Sequence, residues 1–551
     1  MSDFTPALNY FNYQLLIKQL LFTPIANNPN QEIVYKNSFR MTYDTFKKRV
    51  CKLANTLTRL GVKKGDTVAI MDYDSHRYLE CYFAIPMIGA VMHMVNIRLS
   101  PEQILYTIDH AQDDILLIHN DFMPILEQIR GRIDTINSYI LIADDNEATQ
   151  GIIPFVGEYE QLMESADDKF HFPDFDENTR ATTFYTTGTT GMPKGVYFTH
   201  RQLVLHTIGV LASLSSYAEH GNFNQNDVYM PITPMFHVHA WGIPYVATFM
   251  GVKQVYPGKY IPDVLLDLIQ KEKVTFSHCV PTILHMLLNS SKIDEIDLNK
   301  WKVIIGGASL SPALAIAGLN KGIDLFAGYG MSETCPILSL ARLNKETLAK
   351  DYEEQAKIRT KTGTPLGLVE MKIVDEEMNE IVYDGENTGE IIVRAPWLTA
   401  GYLKDQKNSE NLWRDGYLHT GDVANCNERG YFKITDRAKD IIKVGGEWVS
   451  SLELEDIIHQ HPSVFEVAVI AISDEKWGER PLALVVSKTD DKKTLEKEII
   501  NHAKEVIKNG LMARESMLLK IHFVDEIDKT SVGKTDKKTL REKYQKLFNH
   551  N

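Results

Sequence analysis

The chain has 551 residues, 44% hydrophobic and 24% charged, which is enough apolar chain for more than one core and excludes a fully disordered polypeptide. Lys and Arg number 59 against 73 Asp and Glu, a net charge of −14, which argues against a general nucleic-acid binder because such proteins carry a basic face. Five scattered cysteines (Cys51, Cys81, Cys279, Cys335, Cys426), odd in number and never in CxxC, argue against a disulfide scaffold or a cysteine zinc site and fit a cytoplasmic setting.

The opening MSDFTPALNYFNYQ lacks the basic-then-apolar pattern of a signal peptide. Residues 67–71 (TVAIM) read as a strand, 78–88 as a buried helix and 91–95 as the next strand. The most apolar stretch, 83–95, holds Pro86, Gly89 and His93 and falls short of the ~20 residues of a membrane span. Ser100, Pro101 and Gln103 form a capping box that opens a helix, and 114–118 (DILLI) is another strand. The rhythm returns with strands at 274–279, 302–305 and 323–327 and helices from Pro281 and Ser311. Such alternation predicts parallel sheets covered by helices. From about Thr362 short strands between Gly, Asp and Pro turns take over, including 389–394 and 430–435. After Asp440 a smaller α+β unit follows, with a helix at 450–459, strands at 464–472 and 481–487, and an amphipathic helix at 495–507. The expected fold is α/β: a large N-terminal domain of βα-built parallel sheets with a small β-rich subdomain, and a small mobile α+β C-terminal domain.

The densest chemical signal is TTGTTGMPKG at 186–195. Four threonines, three glycines and Lys194 within ten residues suit a polyphosphate, which needs inward N–H groups, hydroxyls and a mobile cation. It is not a Walker A loop, because Pro193 and Gly195 stand where Gly and Ser/Thr are required.

YTTGTTGMPKG resembles the signature loop of the adenylate-forming superfamily, which comprises acyl- and aryl-CoA synthetases, luciferases and peptide-synthetase adenylation domains. The likeness covers almost the whole chain and recurs at five further places. It implies that Thr186, Thr187, Gly188, Thr189, Thr190 and Lys194 hold the phosphates of ATP. In Gly328-Tyr329-Gly330-Met331-Ser332-Glu333-Thr334, Tyr329 would stack on adenine, Ser332 would touch phosphate, and Glu333 with Thr186 would hold Mg²⁺. Ala327 departs from the polar residue common there. Asp422 of the TGD element at 420–422 would accept the ribose hydroxyls. Arg437 would meet ribose and phosphate, Lys439 would be the hinge, and Lys443, Gly445, Gly446 and Trp448 would line the way for coenzyme A. Lys534, in the loop from Asp528, would be the catalytic lysine; relatives usually carry Pro in place of Asp528.

The acyl site would use Phe236, His237, Val238 and Trp241, with His237 also catalytic, and Gly306, Gly307 and Ala308 would form another wall, Gly307 also meeting the cofactor. Phe236-His237 replaces the Asp by which amino-acid-activating members grip an ammonium group. Trp241 matches the aromatic gate of a long-chain fatty acyl-CoA synthetase subgroup. The resemblance implies a domain at 1–436, a hinge at 437–442, a mobile domain at 443–551, a homodimer by subgroup analogy, and peripheral contact with lipid surfaces. The expected activity is ATP-dependent ligation of a medium- or long-chain fatty acid to coenzyme A, with aryl acids as the alternative. A different class is a metallohydrolase. His237-Val238-His239 on a strand would put two imidazoles on one face, with His200, His206, His278 or His285 as a third ligand.

Overall fold

The structure, a computed structural model, describes residues 7–144, 153–186, 192–218, 220–437, 439–444, 447–474, 476–506, 514–530 and 534–545. Two large sheets both pack on the buried helix His76–Met87. The first has seven strands. Thr67–Met71, Val91–Met94, Asp113–His119, Ser138–Ile142, Phe155–Glu158 and Arg180–Thr186 run parallel, and Lys194–Thr199 is added antiparallel at one edge. TVAIM is buried at every position, as a central parallel strand covered on both faces requires. The second sheet has nine strands. Its parallel centre is Lys253–Tyr256, Val228–Ile232, Phe276–Cys279, Lys302–Ile305 and Asp324–Gly330. The helix His76–Met87 has every side chain buried, and its Tyr82 hydroxyl reaches the Met235 carbonyl of the second sheet's connection (2.5 Å). The expected capping box is present, Ser100 Oγ accepting from Gln103 N and Gln103 Oε1 from Ser100 N, each at 3.3 Å.

A five-stranded antiparallel sheet follows (Glu370–Val374, Thr388–Arg394, Trp413–Arg414, Tyr417–Cys426, Phe432–Arg437). The chain leaves it at Arg437 and enters a last sheet at Ile442–Val444, which pairs with Glu447–Val449 and Gly478–Ser487. Val464–Asp474 and Lys520–Phe523 complete that sheet. Helices Ser451–His459, Lys492–Val506 and Lys537–Tyr544 belong to the same unit, the second starting three residues earlier than its amphipathic pattern predicts. No described helix is long and apolar enough to cross a membrane.

Candidate active site

Thr186 and Lys194 are register partners at the ends of an antiparallel pair, so the two ends of the phosphate-loop motif stand side by side. Thr187, Gly188, Thr189 and Thr190 lie outside the described residues. The Lys194 ammonium stands over the ring of Tyr402, 4.8 Å from its centroid.

Gly328, Tyr329 and Gly330 end the strand Asp324–Gly330, and Ser332–Thr334 is one turn of 3-10 helix. That turn buries Glu333, whose Oε1 accepts the Tyr402 hydroxyl at 2.7 Å. The Tyr329 hydroxyl donates to Asp422 Oδ2 at 2.8 Å, and Arg437 Nε pairs with Asp422 Oδ1 at 3.1 Å. The second contact follows from sheet register, because Asp422 and Arg437 are opposite residues of neighbouring strands. Motifs about a hundred residues apart in sequence therefore share one hydrogen-bonded cluster.

A narrow cavity of ≈ 30 Å³ opens beside it, lined by His237, Val238, Trp241, Gly306, Gly307, Tyr329, Ser332 and Lys534 among others. Lys534 comes from the C-terminal unit. Its backbone N–H donates to Thr530 Oγ1 at 3.2 Å, and Thr530 N–H donates to its carbonyl at 2.7 Å. Burial above all, then the Arg437 charge, brings its ammonium down to about 8 against the pull of Asp422 and Glu333. Asp528, the departure from the family pattern, pairs with Lys543 of the last helix (2.6 Å), which ties the loop to that helix. Gly306 has no room for a side chain: a methyl there would stand 2.7 Å from the Gly328 carbonyl and 3.0 Å from the Trp241 ring. Trp241 in turn lies against His278, centroids 5.0 Å apart.

The segment expected as a strand at 237–239 is instead a left-handed turn. Val238, His239, Ala240 and Trp241 have φ of 48°, 57°, 46° and 59°, and Gly242 closes it at 73°. The two imidazoles therefore part. His237 lines the cavity, while His239 meets Thr182 Oγ1 through Nε2 at 2.8 Å. This removes the geometry behind the metallohydrolase reading, and among the described residues no group of three or more His, Cys, Asp or Glu could hold a metal ion. Burial, with Lys534 and Arg98 nearby, pushes the His237 imidazole down to about 3, so it is neutral.

Other expected residues lie apart from the cavity lining. Phe236 is buried with the Arg98 guanidinium 5.9 Å from its ring centroid, and Ala308 is exposed. Lys439 is exposed between the two sheets it would hinge. Lys443 and Trp448 are register partners in the last sheet, and Gly445 and Gly446 lie outside the described residues. Sequence reasoning missed Tyr402 and Asp74. Asp74 accepts Met235 N–H at 2.8 Å and the Tyr260 hydroxyl, and so pins the root of the left-handed turn. Nothing near either residue in sequence marks it, since their partners are distant in the chain.

Residues 21–403 match the family model for AMP-binding enzymes, and residues 453–534 match that for the AMP-binding enzyme C-terminal domain. The chain is 38% identical over 514 residues to a long-chain-fatty-acid–CoA ligase of Thermus thermophilus, covering 92% of this chain and 91% of the relative. It is 35% identical over 543 residues to a medium-chain-fatty-acid–CoA ligase of Ectopseudomonas oleovorans, covering 96% of each. Among solved structures, ATP-bound MatB from Rhodopseudomonas palustris superposes with a TM-score of 0.83 at 24% identity over 97% of this chain and all of that one, a likeness of fold. With its two family segments in order and relatives matched nearly end to end, the chain belongs to the AMP-binding enzyme family.

Proposed function

We propose that the protein is a fatty acid–CoA ligase that activates a medium- or long-chain acid with MgATP to an acyl-adenylate and pyrophosphate, then passes the acyl group to coenzyme A with release of AMP. The observation that carries this reading is Lys534 of the C-terminal unit standing in one cavity with His237, Trp241 and Tyr329 of the large domain.

A carboxylate is a poor electrophile at neutral pH because its charge repels nucleophiles. Its attack on the α-phosphate of ATP forms a phosphorus–oxygen bond and expels pyrophosphate. The resulting mixed anhydride is then open to the coenzyme A thiol. The central task is to hold negative charge on the phosphoryl oxygens as it shifts. Lys194, the hydroxyl of Thr186 and Lys534 are the groups assigned to it. Tyr329 would cover adenine, and Asp422, an acceptor-only carboxylate, would take the ribose diol. The neutral His237 would donate to the substrate carboxylate without adding charge. The donor set also suits a divalent cation: Glu333 is a buried hard-oxygen ligand, and Mg²⁺ prefers one or two carboxylates plus phosphate oxygens. When bound by Glu333 and Thr186, it would neutralise charge across the phosphates.

The division into a domain at 1–436, a hinge at 437–442 and a mobile domain at 443–551 is part of the proposal. Support comes from the change of sheet between Arg437 and Ile442. Rotation there would exchange Lys534 for Lys443, Gly445, Gly446 and Trp448 at the site between the two half-reactions. The test is mass spectrometry of purified protein with MgATP, coenzyme A and saturated acids of increasing length, reading acyl-AMP and acyl-CoA separately. Thioester with an optimum at medium or long chains is expected. Acyl-AMP without thioester would move the acceptor away from coenzyme A, and product only with aryl acids would replace the fatty substrate.

A further inference from the structure

Lys194 and Glu333 carry opposite charges and are both assigned to the nucleotide. Left to themselves, a free ammonium and a free carboxylate in one partly buried site would pair, and ATP and its cation would have to break that pair. Among the described residues, no ion pair joins Lys194 to Glu333. Tyr402 occupies both of them instead. The ring face takes the Lys194 ammonium at 4.8 Å, and the hydroxyl donates to Glu333 Oε1 at 2.7 Å.

The segment carrying Tyr402 is fastened at both ends. Leu403 N–H donates to the Gly195 carbonyl at 2.8 Å, Val196 and Tyr402 form an antiparallel bridge, and Thr399 Oγ1 donates to the Tyr197 carbonyl at 2.9 Å. It therefore runs along the outer edge of the strand Lys194–Thr199 that follows the phosphate-loop motif. The same segment grips the turn below Glu333, where Thr399 N–H donates to the Glu333 carbonyl at 2.9 Å.

We propose that Tyr402 is a positioning residue that separates Lys194 from Glu333, keeping the phosphate-binding cation and the metal-binding carboxylate partnered but unquenched, and holding them in fixed relation before nucleotide arrives. The inference rests on the roles given to Lys194 and Glu333 above.

The two halves of the side chain can be removed separately. Tyr402→Phe keeps the ring under Lys194 and deletes the bond to Glu333. Tyr402→Leu deletes both and lets the two charges meet. The probe is ATP with an α,β-methylene bridge, whose affinity is measured by calorimetry without Mg²⁺ and across a MgCl₂ titration, so no turnover is needed. For Tyr402→Phe the Mg²⁺-free affinity should match wild type, while half-saturation by Mg²⁺ should rise about tenfold, the scale of one lost charge-assisted hydrogen bond. Tyr402→Leu should also weaken the Mg²⁺-free complex several-fold, on the scale of a cation–π contact. In a Glu333→Gln background the Phe substitution should add nothing, because its effect passes through Glu333. An equal effect of Tyr402→Phe in both backgrounds, or none in wild type while Glu333→Gln suppresses the Mg²⁺ response, overturns the inference and leaves the assigned function standing. A Glu333→Gln enzyme with a wild-type Mg²⁺ response overturns the role of Glu333 and this inference together.

Discussion

The lowered Lys534 ammonium makes the first half-reaction sensitive to alkali in a range where ordinary lysines are silent. Burial, with Arg437 second, brings Lys534 down from 10.5 to about 8. A group titrating there is about nine-tenths protonated at pH 7 and about one-tenth at pH 9, so a step that needs its charge falls about tenfold over that interval. A lysine left at 10.5 would lose only about 3% of its charge. The quantity to follow is kcat/KM for ATP in acyl-adenylate formation, trapped with hydroxylamine, because it reports the free enzyme. Coenzyme A is left out, since its thiol would titrate in the same range. Lys534→Arg supplies the control: its guanidinium stays charged throughout, so the alkaline limb should vanish even though the different shape lowers the absolute rate. A limb that persists in the Arg enzyme belongs to another group, and a wild-type profile flat to pH 9.5 would refute a first half-reaction governed by a Lys534 ammonium lowered to about 8.

Gly306→Ala should destabilise the protein by about 1–3 kcal/mol in denaturant titrations, as overpacking does, and move the preferred acid to shorter chains by displacing Trp241; an unchanged length profile would remove Gly306 from the acyl wall. Lys439→Pro should spare adenylation but slow thioester formation from supplied acyl-AMP, because a fixed φ hampers rotation, and Lys534→Ala should do the reverse; equal losses in both half-reactions would sink the hinge assignment. Asp74 is raised to about 7, chiefly by burial. Its folded state therefore binds an extra proton between 3.8 and about 7, so this residue's contribution lowers stability as pH rises through that window. Asp74→Asn should flatten the fall, seen as a melting temperature less dependent on pH; a variant destabilised equally at pH 5 and pH 8 would contradict it.

The parts legible in the sequence are those whose chemistry is local. The TVAIM strand announces itself by an unbroken apolar run, and the Ser100 cap by its spacing to Gln103. The cluster of Tyr329, Asp422 and Arg437 was legible as separate motifs, but only sheet register turns them into one network. The strand geometry of His237-Val238-His239 fails because four successive residues from Val238 take positive φ, and in the sequence only the closing Gly242 hints at that. Tyr402 and Asp74 were illegible for another reason. Glu333 lies 69 residues from Tyr402, and Met235 lies 161 residues from Asp74, so no local pattern carries either contact.

The left-handed turn shows how the two large sheets share one site. Four non-glycine residues at positive φ cost roughly 1–2 kcal/mol each, a sum comparable to the net stability of a whole domain. Such a conformation persists only where its surroundings impose it. Here the first sheet's side supplies three fasteners: Asp74 on Met235 N–H, the Tyr82 hydroxyl on the Met235 carbonyl, and Thr182 on His239. The second sheet supplies the bed, with His278 beneath Trp241 and Gly306 against its edge. An extended strand at about 3.3 Å per residue would set His237 and Trp241 about 13 Å apart. Coiling the chain instead brings a neutral imidazole and a large indole to the same narrow cavity, with Lys534 reaching in from the C-terminal unit. The strain is thus what joins the polar and apolar ends of the proposed acyl site, and either sheet relaxing its grip would release both residues together.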